Sequence, residues 1–373
     1  MNARQPNHEM IVLAREIRGM TQTELARLAP SATQGNLSRM EKGRLSISEN
    51  VLEEIAEALN FPKSFFFQEN VKTPISDFYY RKRVTIPKKK LSRLEAAMDL
   101  IRIGLDKLFA DIELPPLSIP HLDTESGVSA KEAARKIRGV LNLRKGPIKN
   151  LVGLLEQSGV VVFPIKSDSD KFDGITLFTD DRHVVIFLNR NLPNDRKRFT
   201  LAHELGHLTL HLRAPFDEQS DRVKEDQANQ FASEFLMPEL DIRNDLAGLT
   251  MTSLSALKSD WQVSMKSLIY RAQTLRIISE RRAQNLYIEL SRLGYVKIEP
   301  GFVEFDEPRV VRKAIQLLKE ELNYTNEEIA ENLSLSLPDF LELFLNQKQN
   351  IIQLKANRRR ENNDGIGPGF FSH

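Results

Sequence analysis

The run His203-Glu204-Leu205-Gly206-His207 constrains this chain more than any other stretch. Side chains four residues apart stand one above the other on a helix face, so both imidazoles reach a single metal ion only if the segment is helical. Glu204, beside the first histidine, is then placed to polarise a water molecule. Leu201, Leu205, Leu208 and Leu212 recur at three- and four-residue spacings, with Phe199 two residues before them, which predicts a helix over Arg198 to Leu212. Gly206 costs that helix only about 1 kcal/mol. The bland alternative has the two histidines capping a helix end or bonding to nearby carbonyls.

Composition narrows the chemistry around this motif. A chain of 373 residues with 41% hydrophobic content is long enough for two or three cores of ordinary domain size. With no cysteine, disulfides, a thiol nucleophile and thiolate-held zinc are all excluded, and any metal rests on His, Asp and Glu. No apolar run approaches the roughly 18 residues that cross a bilayer. The N-terminal stretch carries Arg4, His8, Glu9 and Arg15 without an apolar secretory core, so a cytoplasmic protein with no membrane partner is expected. A net charge of only +2 means that nucleic-acid affinity has to come from local patches, of which Arg81 to Arg93 is one.

A second pattern lies near the N-terminus. Met10 to Arg18 reads as a short helix that Gly19 breaks, and Thr21 with Glu24 forms a capping box for the next one. After a turn around Pro30 and Ser31, Thr33 to Met40 reads as a further helix carrying Gln34, Asn36, Ser38 and Arg39, ended by Gly43. Two short helices in tandem fit a groove reader, since Gln and Asn bond bidentately to adenine edges while Ser38, Arg39 and Arg44 suit phosphate or base contacts. Val51, Leu52, Ile55, Ala56 and Leu59 supply an apolar stripe that closes the bundle near Phe61-Pro62.

Through Arg18 to Ala26 and Asn36 to Gly43, residues 8 to 68 resemble the XRE-type family of phage and bacterial repressors. The resemblance implies that Gln22 contacts phosphate at the start of the second helix and that Gln34, Asn36 and Arg39 lie on or beside the reading helix. The chain departs from the family spacing at Leu28 to Thr33, where the turn is longer. The bland alternative is a helical bundle serving dimerisation or protein contact.

The middle of the chain is less distinctive. Phe65, Phe66 and Phe67 read as packing residues at a domain junction. Arg81-Lys82-Arg83 and Lys88-Lys89-Lys90 flank Pro87 and either extend an electrostatic footprint onto flanking DNA or form a solvated basic face. Leu91 to Phe109 reads as a long amphipathic helix, followed by a proline-broken stretch and a capping box at Ser129 and Glu132. Helices are expected over Ser129 to Leu141 and Ile148 to Gln157, and strands over Val160 to Pro164, Gly174 to Phe178 and His183 to Leu188. Asp168, Asp170 and Asp173 have the spacing of a calcium loop but lack its closing glutamate, so a polar turn is expected.

A third metal ligand is expected on a following helix. Ala228, Phe231, Ala232, Phe235 and Leu236 repeat at three and four, which places Glu225 one turn earlier on the same inward side. Asp217, Glu218 and Asp221 compete from a polar loop, and His211 reads as a helix-end or surface histidine. Phe199 to His207 together with Glu225 to Pro238 resembles the ImmA/IrrE family of metallopeptidases over roughly residues 130 to 270. The resemblance implies a gluzincin-like fold, zinc held by His203, His207 and Glu225, and Glu204 as general base. Gln227 departs from the acidic residue frequent before the Ala-Asn pair, which a supporting role tolerates.

Beyond this, Trp261 to Ser279 and Glu280 to Leu293 read as helices, and Val263-Ser264 with Leu268, Ile269, Arg271 and Ala272 matches the tail of the same family. Tyr324 to Ala330 looks like the turn into a DNA-binding-like helix, yet Leu333, Leu335, Leu337, Phe340, Leu341 and Phe344 favour an interaction module. The expected organisation is a helix-turn-helix domain over 1–69, a basic helical connector over 70–128, a metallopeptidase domain with a small β-sheet over 129–279, and a helical region with a mobile tail over 280–373. The fold class is mainly α with an α+β centre. The implied function is a DNA-binding regulator that cleaves a regulatory protein in a phage, mobile-element, stress or toxin–antitoxin circuit; a non-catalytic sensor or partner-binding module is the alternative. Expected partners are double-stranded operator DNA, a regulatory protein and a second copy of the chain.

Overall fold

Side-chain caps set most of the helix starts. In the computed structural model, which describes residues 5–68, 86–124, 127–143, 145–167, 169, 171–211, 220–296 and 298–345, Thr21 and Glu24 close a reciprocal box at the start of one helix, as do Ser129 with Glu132 and Thr325 with Glu328 at two others. The first four helices, α1 (His8–Ile17), α2 (Gln22–Leu28), α3 (Gln34–Glu41) and α4 (Glu49–Leu59), form the N-terminal bundle. Val51, Leu52, Ile55, Ala56 and Leu59 are all buried in it, and Phe65 and Phe66 beneath it are fully enclosed. Arg81 to Arg83, Leu212, Asp217, Glu218, Asp168 and Asp170 lie outside the described residues.

A long helix, α5 (Lys88–Phe109), leads from the bundle to α6 (Ala130–Val140), α7 (Leu151–Gln157) and the sheet. The strands β1 (Val160–Ile165), β2 (Gly174–Phe178) and β3 (Val184–Asn189) lie in the order β1-β3-β2, with β1 parallel and β2 antiparallel to β3. Every residue of β3 is buried, as expected for a strand covered on both faces.

Strand alternation then divides the molecule into two cores. Val161, Phe163, Leu177, Val185 and Phe187 face a core shared with the N-terminal bundle, α5 and the C-terminal helices. Val160, Val162, Val184, Ile186 and Leu188 face a second core. That core is built on α6, α7, α8 (Asn194–Leu210), α9 (Asp221–Leu236) and the helices after them. The histidine motif lies on α8.

After the short α10 (Glu239–Ile242), the expected helix from Trp261 to Ser279 is corrected. Trp261 ends α11 (Met251–Trp261), Gln262 turns left-handed at φ 57°, and the Ser264 side chain caps α12 (Met265–Thr274). A polar cap defeats continuous apolar spacing here. The structure continues through α13 (Glu280–Arg292), α14 (Val310–Glu321), α15 (Asn326–Asn332) and α16 (Leu337–Phe340), then a π turn over Leu341–Leu345.

The C-terminal helices pack back onto the beginning of the chain. Leu333, Leu335, Phe340 and Phe344 are buried in the core they share with the bundle and α5. Arg18 at the end of α1 donates to both carboxylate oxygens of Asp339, at 2.8 and 2.6 Å, and lies over the Phe61 ring. Gly104 of α5 lets the Phe344 ring come close, since a Cβ there would stand 2.8 Å from Phe344 Cζ. No helix among the described residues is long and apolar enough to cross a membrane.

Candidate functional site

Helix α8 carries the two motif histidines on the face that meets α9. Gly206 makes that approach feasible: a Cβ there would lie 3.2 Å from Phe231 Cβ and 3.3 Å from Ala228 Cα. Even an alanine there would require α9 to give by a few tenths of an ångström. At this spacing Glu225 reaches across, with Oε1 3.3 Å from His207 Nε2 and Oε2 3.6 Å from His203 Nε2. The two Nε2 atoms are themselves 3.0 Å apart. His203, His207 and Glu225 thus offer three ligand atoms within 4.8 Å of one another.

Side chains behind the histidines fix which ring nitrogen faces this centre. His203 Nδ1 lies 3.0 Å from Asn229 Oδ1, an acceptor only, so Nδ1 carries the hydrogen and Nε2 the lone pair. His207 is set through one more residue. Gln227 Oε1 lies 2.8 Å from His211 Nε2, which makes His211 Nδ1 the acceptor for His207 Nδ1 at 3.0 Å. The expected surface role of His211 is corrected: it caps the end of α8 but is only 7% exposed, inside this relay. Two facing acceptor nitrogens and a carboxylate form a donor set for a cation, not for one another.

Glu204 is 3% exposed and turned to the sheet, where the Thr176 hydroxyl donates to its Oε2 at 2.8 Å. Alternation along β2 sends Ile175 and Leu177 to the opposite core and Thr176 to α8. Gly174 on the same strand admits the helix, since a Cβ there would stand 2.7 Å from Thr200 Cγ2. Sequence reading missed Thr176; its signal was a lone hydroxyl between two apolar strand residues. Glu234 is fully buried and held by Arg271 and, at 2.8 Å, by Arg135, which anchors the end of α9. Another group, Asp106, Asp181 and His183, has ligand atoms as close together. There Asp106 Oδ2 instead accepts the Asp180 and Asp181 amides at 2.9 and 3.4 Å, which accounts for it as a hairpin anchor.

The N-terminal residues form a separate surface. Arg15 grips buried Glu41 at 2.6 and 2.9 Å, Gln22 donates to the same carboxylate at 2.8 Å, and Gln34 donates to Gln22 at 3.1 Å. This chain fixes the start of α3 against the start of α2. Gln34 and Arg39 are exposed on α3, Asn36 and Ser38 are half-buried, and Arg44 is exposed just beyond.

Comparison with known proteins agrees with both surfaces. Residues 155–273 match the peptidase family described as the IrrE N-terminal-like domain, and residues 11–66 match the helix-turn-helix family. The chain joins an XRE-type helix-turn-helix to an IrrE-like domain. The IrrE-like match contains His203, Glu204, His207 and Glu225, while the helix-turn-helix match spans α2 and α3. An uncharacterized immunity region protein 2 of Bacillus phage phi105 is 39% identical over 66 residues, covering 16% of this chain and 42% of that protein's length.

Proposed function

We propose that the chain is a DNA-binding transcriptional regulator whose IrrE-like domain is a zinc endopeptidase acting on a regulatory protein. The observation that carries the peptidase reading is the convergence of His203, His207 and Glu225. Zinc bonded at about 2.0–2.1 Å in a tetrahedron has ligand-to-ligand edges of about 3.3 Å. The separations of 3.0, 3.3 and 3.6 Å bracket that value, so the donor set fits the ion.

When bound, zinc would polarise the scissile carbonyl and acidify a water molecule. The residues of the chain do the rest. Glu204, steadied by Thr176, takes a proton from the attacking water and returns it to the departing amine as the C–N bond breaks and a C–O bond forms. Asn229 and the His211–Gln227 pair keep both imidazoles in the tautomer that presents Nε2. β2 lies at the sheet edge beside α8 and offers its backbone for an extended substrate segment.

The helix-turn-helix supplies recognition of operator DNA through Gln34 and Asn36, with Gln22, Ser38, Arg39 and Arg44 at phosphates or base edges. The phage immunity-region relative supports a phage or mobile-element circuit. A reporter driven by the chain's own promoter tests the whole reading. Glu204→Gln is expected to block derepression while operator binding and zinc content persist. Unchanged derepression would favour a sensor that does not cleave.

A further inference from the structure

We propose that the first turns of α5 form a second contact to the DNA backbone, with Lys89 and Arg93 holding phosphates beside the start of α2. This rests on the helix-turn-helix reading above and extends its footprint beyond the matched residues 11–66. Lys88, Lys89, Lys90 and Arg93 are all exposed, and the first three occupy the opening turn of a helix whose Pro87 start has no side-chain cap. The positive end of a helix dipole disfavours cations there, so the dipole does not account for Lys88 and Lys89 in that turn. A bound anion would offset both the dipole and the side-chain charges.

The neighbouring residues decide which anion. Gly19, in the turn between α1 and α2, is left-handed at φ +64°, and a Cβ on it would stand 3.8 Å from Lys89 Cε and 3.9 Å from Arg93 Cδ. Both cations therefore run along the turn that precedes the Thr21 cap of α2. In tandem-helix readers the first helix of the pair crosses the sugar-phosphate backbone while the second enters the groove. The α5 cations stand at that crossing.

The local acids offset only part of this charge. Glu24 accepts the Thr21 amide at 2.7 Å and hydroxyl at 2.9 Å, which hold its carboxyl below the usual range and keep it ionised, with Lys89 adding a smaller electrostatic effect. This one carboxylate is outnumbered by Lys88, Lys89 and Arg93. Asp339 is taken up by Arg18. Behind the strip, a cleft of about 660 Å³ is lined by Lys89, Lys90, Arg93 and Lys166 as well as Asp339 and Glu342. A free phosphate ion shares the chemistry of a backbone phosphate, so the experiment separates the two sources.

The full chain and its Lys89→Gln/Arg93→Gln variant would be titrated with operator and scrambled duplexes from about 50 to 300 mM salt. Two lost phosphate contacts predict affinity lower by roughly 10- to 100-fold on both duplexes, and a salt slope shallower by about 2. A Lys136→Gln/Lys145→Gln control removes the same charge from the exposed surface of the peptidase side and is expected to leave the slope unchanged. An unchanged slope in the first variant, an equal fall in the control, or a loss confined to the operator would overturn the proposal. So would inorganic phosphate that binds the wild type at these cations and leaves duplex affinity untouched. Wild-type protein that binds neither duplex would refute the helix-turn-helix reading itself.

Discussion

His207 Nδ1 stands 3.0 Å from His211 Nδ1, so the tautomer of one imidazole of the proposed metal centre is set by a second histidine one helical turn away. His211 in turn depends on Gln227 Oε1 at 2.8 Å. Removing a group that orients a ligand costs about 10- to 100-fold in metal affinity. Gln227→Ala and Asn229→Ala are each expected to weaken zinc binding by that factor in competition with a chelator, while His203→Ala abolishes it. Unaltered zinc affinity in both amide variants would contradict the relay.

The start of α3 supplies the second prediction. Gln34→Ala and Asn36→Ala should each cost about 1–3 kcal/mol on operator DNA and much less on scrambled DNA. Gln34→Ala also releases Gln22, which then keeps only its bond to Glu41. Parallel titrations with both duplexes give the result, and equal losses on the two would remove these residues from base reading.

Packing between α5 and the C-terminal helices gives the third. A Cβ at Gly104 would stand 2.8 Å from Phe344 Cζ, so Gly104→Ala forces the ring out of a filled core. Overpacking of this kind costs about 1–3 kcal/mol. Thermal unfolding should show a lower Tm, and a Gly104→Ala/Phe344→Leu double variant should recover part of it.

Lys107 gives the fourth. Burial pulls its ammonium from the ordinary 10.5 down to about 8, and it donates to Ser334 Oγ at 3.0 Å. Below about pH 8 the lysine is charged in both folded and unfolded chains, and the full burial penalty remains. Between about 8 and 10.5 the unfolded chain holds more protons, so this residue makes stability rise with pH across that window. Urea titrations of wild type and Lys107→Met at pH 7.5 and 9.5 are expected to show the variant gaining less on going to the higher pH. An identical pH dependence would contradict the burial effect.

Much of this arrangement was legible because its signals are local. Helix caps at Thr21 and Ser129, the H-E-x-x-H spacing and the apolar repeat that points Glu225 inward all act within a few residues. Thr176 and His211 were not legible as parts of the site. Their roles depend on which strand meets α8 and on how near α9 comes, and those are set by Gly174 and Gly206 through contacts distant in sequence. The break after Trp261 was missed for a different reason: a left-handed Gln262 and a serine cap interrupt a pattern that apolar spacing alone continues.

The intact mass of the regulatory partner tests the central claim most directly. The partner would be incubated with zinc-loaded wild type and with Glu204→Gln, and its mass followed over time. Wild type is expected to shorten it at one bond, giving two fragments whose masses sum to the partner plus one water. Glu204→Gln is expected to leave it whole while retaining zinc and partner binding. A partner that stays intact with wild-type protein, under conditions where it binds and its operon responds, would contradict the peptidase account.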